Sequence, residues 1–311
     1  MPDVPLEILR RSLREEYFES FLPAGGGTVK ILVADDPVRR KALDDISADA
    51  EAAGVTVFDL TADDVLLHKM DAVWSAIARK VDWDGLVDRY LRRICADIGF
   101  PMDDPGIPCT LERVCATYEV DRSQVTTAYQ AAVRDLIFRD YGLDIDYRKA
   151  MTVLVHGAFS GSENFQTSVA KMWLAGEDVL ARDLREIQIF QRIDRTRARS
   201  ILYSFIRSRF RFGLPTAFVL DGSRYYTERT RLGTLRFTRL QLFDLFELVR
   251  EFIDEADRLH GAAIIFTFPQ DFVESERRSF DIYRALYSRI ADDVRGRDRA
   301  NPCAALLRVA L

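Results

Sequence analysis

Histidine and cysteine are scarce in this chain, three and four among 311 residues. Cys95, Cys109, Cys115 and Cys303 form no CxxC pair and no Cys/His cluster, which argues against a structural zinc site. No run of about 18 apolar residues occurs, so no membrane span is expected. Residues 1–18 are amphipathic and charged and lack the apolar stretch of a signal peptide. These absences point to a cytoplasmic chain with reduced thiols. Positive charge is not in excess either. The formal net charge is −5, so no broad electropositive field for nucleic acid is expected. The short basic stretches at 195–199 and 207–211 read first as solvated faces of a helix.

What the chain has is apolar content, 48% of its residues, enough for one large core or a core with a helical insertion. Leu6, Leu9, Leu13, Tyr17 and Leu22 recur near helical spacing, which predicts a helix over 5–20. Three glycines at 25–27 break it. A β-rich run at 29–33, a helix at 38–53 ended by Gly54, and a strand at 55–60 make a strand–helix–strand unit. Residues 66–212 read almost entirely as helices. Strands return at 216–221 and 262–268, separated by a helix at 238–259. A helix at 278–294 and a closing strand at 304–309 complete the pattern. Alternating strands and helices predict an α/β fold with a mostly parallel sheet covered on both faces. The division expected is 1–65 and 213–311 for the α/β core and 66–212 for a helical insertion.

The first strand leads into Ala34-Asp35-Asp36-Pro37-Val38-Arg39-Arg40-Lys41. A phosphate-binding loop of the GxxxxGK[ST] type belongs at this point. There, glycines let backbone amides wrap the phosphates, a lysine reaches the terminal groups and a hydroxyl binds magnesium. The position and spacing fit, but the residues do not. Ala34, Pro37 and Arg39 stand where glycine is expected, Arg40 where the lysine belongs and Lys41 where the hydroxyl belongs. Pro37 removes an amide donor. Asp35 and Asp36 bring charge of the wrong sign, a repulsion of about 4 kcal/mol per pair at ~4 Å and an effective dielectric near 20. Arg40 and Lys41 offset part of it. An ordinary strand–turn–helix junction is the plainer reading of the same residues.

ATPases also end a buried strand with an acidic pair, an Asp for magnesium and a Glu that polarises water. The strand at 216–221 ends in Asp221-Gly222, so the Asp is present and the Glu is not. Losing that base removes a term of about 10²–10⁴ in rate. Asp221 alone also suits a turn or helix cap. Thr267, a polar residue near the end of an apolar strand, has two readings: a sensor of a terminal phosphate, or a hydroxyl satisfied by backbone.

The order of these segments resembles the P-loop ATP-binding proteins of the BREX phage-defence type. It is carried by residues 21–33, 67–69, 74–77, 173–177, 193–202, 235–239 and 279–289. The resemblance implies a P-loop NTPase-like (AAA-like) fold over nearly the whole chain. It also implies a setting in phage defence or DNA processing. Family members carry an intact phosphate loop and acidic pair, and only Asp221 carries over here. Arg289 matches a sensor or finger arginine in the resemblance and a surface ion pair in the plainer reading.

The function expected is therefore that of a pseudo-ATPase, a structural or regulatory partner subunit with no catalytic residue, no metal ligand and no cofactor. Its partner is expected to be a protein, an active ATPase paralogue or a second copy of the chain. Two alternatives stay open. One is a nucleotide sensor that binds ATP and magnesium without hydrolysis. The other is a nucleic-acid-binding module using the helix at 195–211.

Overall fold

A computed structural model of the chain describes residues 3–61, 63–291 and 301–311. They divide into two compact units, Met1–Val73 with Ile206–Leu311, and Trp74–Phe205. The helical insertion was expected at 66–212, and the second compact unit runs from Trp74 to Phe205.

The first unit is built on six strands: β1 (Asp3–Pro5), β2 (Gly27–Val33), β3 (Thr56–Leu60), β4 (Thr216–Asp221), β5 (Ala262–Phe268) and β6 (Leu306–Ala310). They lie in the order β1-β6-β2-β5-β4-β3, and every pair is parallel. β4 and β5 are buried almost throughout, which is why both read as unbroken apolar runs. One face carries α1 (Leu6–Ser12) and α2 (Asp36–Ala52) over a core that includes Leu9, Phe18, Leu32, Ile46, Ala217, Ile265 and Leu307. The other face carries aromatic rings, with Phe252 6.2 Å from Phe266 and Phe268 stacked 4.4 Å from Phe272.

Local sequence accounts for the helix limits. Asp35 is extended and Asp36 and Pro37 fill the first turn of α2, where a missing amide costs nothing. Its buried residues, Arg39, Ala42, Ile46 and Ala50, follow helical spacing. Gly54 then takes a φ of +79°, and its amide bonds back to Glu51.

Four expectations need correction. Residues 3–5 form an edge strand, β1, where no strand was expected, because its three residues are too few to show periodicity. The helix at 5–20 is two pieces. After Ser12 the turns widen, and Leu22 N–H bonds five residues back to Tyr17 O at 2.9 Å. Within the stretch 66–212, expected to be almost entirely helical, the helix that starts at Arg122 widens in the same way after Val133. The helix expected at 278–294 is a 3₁₀ turn, Phe280–Ile282, and a short helix, Arg284–Ile290. Between them Tyr283 sits at φ −113°, ψ 86°. Residues 292–294 of that expectation lie outside the described residues.

The second unit is helical. Numbering continues with α3 (Met70–Ala78), whose first residues belong to the first unit, α4 (Trp83–Asp97), α5 (Leu111–Tyr118), α6 (Arg122–Val133), α7 (Ile145–Ser160), α8 (Phe165–Leu174), α9 (Ala181–Glu186) and α10 (Arg195–Arg211), whose residues from Ile206 onward belong to the first unit. Trp74, Trp83 and Phe205 pack edge to face or tilted at 5.7 to 6.3 Å, and Trp74 donates its indole N–H to Leu174 O at 2.9 Å. Back in the first unit, α11 (Arg224–Thr227), α12 (Arg239–Asp254), α13 (Asp271–Glu274) and α14 (Arg284–Ile290) follow. No helix among the described residues is long and apolar enough to cross a membrane.

Candidate functional site

Open parallel sheets bind ligands outside the carboxyl ends of their strands. At that edge β2, β5 and β4 lie side by side, with Leu32 opposite Thr267 and Thr267 opposite Asp221. Two strand spacings, roughly 10 Å, separate β2 from β4. The three segments singled out in the sequence around Ala34, Asp221 and Thr267 are therefore neighbours in space.

The segment 34–41 is not an open loop. Ala34 extends the sheet, its N–H donating to Phe268 O at 3.2 Å. Only Ala34 and Asp35 separate β2 from α2, so Asp36, Pro37, Val38, Arg39, Arg40 and Lys41 are all helical. Pro37, expected to block a loop, instead sits in the first helical turn, where its fixed φ is favourable. Arg39 N–H donates to Asp35 O at 2.8 Å. Arg40 and Lys41 are exposed, and Lys41 pairs with Asp45 one turn on, at 2.6 Å. The cation at the strand ends is Arg39, which stands where the loop pattern expects glycine. It is 5% exposed, and its Nη1 donates to Asp221 Oδ1 at 2.6 Å while Nη2 reaches Asp36 Oδ1 at 3.1 Å. The spacing of Asp36 and Arg39, one turn apart at the head of a helix, was the available signal.

Asp221 also accepts the Ser223 N–H at 2.9 Å, so it caps the turn after β4 as well as pairing with Arg39. Gly222 has a packing reason to be glycine. A Cβ there would stand 2.1 Å from the Phe268 ring, which is fully buried and stacked on Phe272. No carboxylate fits at that position without moving the ring. Thr267 is buried and its Oγ1 has no hydrogen-bond partner among the described residues. Arg39 Nε is also buried without a partner. Two orphan donors therefore flank the Arg39–Asp221 pair.

Arg289 is elsewhere. Its guanidinium holds Asp254 through Nε at 2.6 Å and Nη2 at 3.1 Å, and keeps that carboxyl below the usual range. Asp254 ends α12, the helix that feeds the amino end of β5, so Arg289 lies at the opposite edge of the sheet. It is the surface ion pair of the plainer reading.

The basic residues of α10 are likewise engaged. Arg209 is buried, donating to Thr216 Oγ1 at 2.9 Å and Thr56 Oγ1 at 2.6 Å. Arg197 pairs with the buried Asp146, and Arg195, Arg199, Arg207 and Arg211 also have partners.

Two buried polar groups escaped the sequence reading. Lys30, in the middle of β2, is 2% exposed. Its Nζ donates to Tyr17 Oη at 2.8 Å, Cys303 O at 2.5 Å and Ala304 O at 3.1 Å. Burial among neutral acceptors lowers its pKa to about 8. A lone lysine inside an apolar strand was the signal. His68 is buried after β3. Tyr225 Oη accepts the His68 backbone N–H at 2.8 Å and stands 2.6 Å from Nδ1 of its ring. This ties the loop after β3 to the turn after β4. No group of three or more metal-ligating side chains occurs among the described residues.

Comparison with known protein families, with curated proteins and with solved structures finds no match.

Proposed function

We propose that this chain is a pseudo-ATPase, a P-loop-like α/β subunit that serves a partner protein without turning over nucleotide. One observation carries the reading. The Arg39–Asp221 ion pair spans the carboxyl ends of β2, β5 and β4, where a triphosphate and its magnesium would otherwise sit. Arg39 neutralises Asp221, the carboxylate that the resemblance matches to a magnesium ligand. The amides that would wrap phosphate are mostly committed. That of Ala34 is in the sheet, Pro37 has none, and those from Arg39 onward serve the helix. Gly222 offers no base and has no room for one. The scaffold then has value as a surface, for an active ATPase paralogue or a second copy of the chain. The resemblance sets that role in phage defence or DNA processing.

The test is thermal unfolding of the pure chain with and without millimolar ATP and magnesium. A ligand at a hundred times its Kd stabilises the native state by about 2.7 kcal/mol, so true binding must raise Tm. The expected result is no shift and no phosphate release. A measurable turnover that disappears in Asp221→Ala overturns the reading. A raised Tm without turnover favours the nucleotide sensor instead.

A further inference from the structure

Two of the four cysteines meet inside the helical unit. Cys95 is in the last turns of α4 and Cys109 immediately precedes Thr110, the cap of α5. Both thiols are buried, and their sulfurs are 3.1 Å apart, closer than two sulfurs in ordinary van der Waals contact. No CxxC spacing announces them, because 14 positions separate them in sequence.

The connecting segment is held in place by side chains. The Arg92 guanidinium, anchored to Asp88 at 2.6 Å, donates to the carbonyls of Met102, Asp104 at 2.9 Å and Ile107 at 3.1 Å. Tyr118 Oη donates to Pro101 O at 2.5 Å. The clamp keeps the strand-like approach to α5 against the end of α4, and with it the two sulfurs. No third metal-ligating group joins them among the described residues, so a metal site is not the reading.

We infer that Cys95 and Cys109 form a reversible intramolecular disulfide, a modification site whose oxidant is a small hydroperoxide such as hydrogen peroxide. Cys109 is the attacking sulfur. The S–H···S contact with Cys95 and the positive charge of Arg92 lower its pKa, while the same contact and burial push that of Cys95 up. The Cys109 thiolate attacks one peroxide oxygen, the O–O bond breaks, and the departing hydroxide takes a proton to become water. The Cys95 sulfur then attacks the sulfenic sulfur. The S–S bond forms, the S–O bond breaks, and the hydroxyl leaves with the Cys95 proton as a second water. Two thiols lose two electrons and two protons, and the peroxide is reduced to two waters.

The experiment uses the full chain, reduced and then exposed to hydrogen peroxide, with iodoacetamide quenching, unfolding and peptide mapping. The expected result is a cross-linked pair of peptides carrying Cys95 and Cys109, reversed by dithiothreitol. The same cross-link is expected in the Cys115→Ser/Cys303→Ser variant. Arg92→Met, which releases the clamp, should slow cross-linking several-fold. A peroxide-treated protein in which Cys95 and Cys109 are both still alkylated after unfolding overturns the inference. So does a cross-link that forms no faster in the folded chain than in urea, since a held pair must outrun random closure of the same loop.

Discussion

Arg39 and Asp221 make the residue-scale case concrete. Both are largely buried, so removing one partner strands the other as an uncompensated charge. Arg39→Met should cost about 3 kcal/mol of unfolding free energy, measured by urea denaturation. The double variant Arg39→Met/Asp221→Leu should cost clearly less than the sum of the two single variants. Strict additivity would mean that the pair does not span the crevice. Lys30 gives a pH signature. Its folded pKa is about 8 against 10.5 for the free side chain, lowered chiefly by burial. Below about pH 8 the ammonium is present in both states, and its desolvation weighs against the fold. Between about 8 and 10.5 the unfolded chain binds the extra proton, so stability rises with pH. The full gain is about 3 kcal/mol, an order of magnitude from 1.36 kcal/mol per unit. Tyr17, pushed up to about 12 by its burial, acts in the opposite sense above about pH 10, and the Cys95 and Cys109 thiols, shifted in opposite directions, titrate alike in both chains, so the signal is the difference between the natural chain and Lys30→Met from pH 8 to 10. Urea midpoints across that window should climb more steeply in the natural chain than in Lys30→Met.

At the scale of elements, helix starts differ in how they are secured. Thr238 and Gln241 at the head of α12 form a reciprocal capping box, whereas Asp35 at the head of α2 makes no side-chain cap bond. Thr238→Ala should therefore cost about 1 kcal/mol, and Asp35→Ala only a few tenths, by the same urea measurement. The elements that could be read from sequence were those with a strong local signal. β4 and β5 are apolar runs of strand length, and α12 has a stripe from Leu242 to Phe252. β1 could not be read, because three residues become a strand only by pairing with β6, a partner some 300 positions away. The candidate site was legible as a set of neighbours, Ala34, Asp221 and Thr267, because strand ends can be placed from periodicity. Its chemistry was not. That Arg39 turns inward while Arg40 and Lys41 turn outward depends on the helical phase of α2, and starting that helix two residues earlier than expected changes which cation faces Asp221.

For the whole molecule, many charges meet in pairs, Arg10 with Asp45 and Asp49 among them. The arginines of α10 are engaged within the fold, and the net charge is −5. Fluorescence anisotropy with labelled duplex DNA should show no binding even at low salt. A Kd that weakens steeply with added salt would restore the nucleic-acid reading.

The strand order has a consequence for how the chain is made. β2 lies between β5 and β6, so each of its neighbours is contributed by the last fifty residues of the sequence. At ribosomal speeds of about 5–20 residues per second, β2 waits roughly ten to fifty seconds for β5 to emerge. Throughout that interval its apolar edges are unsatisfied. The sheet of the first unit is therefore completed only at the end of synthesis, and a truncation before β5 would leave β2 with neither of its neighbours.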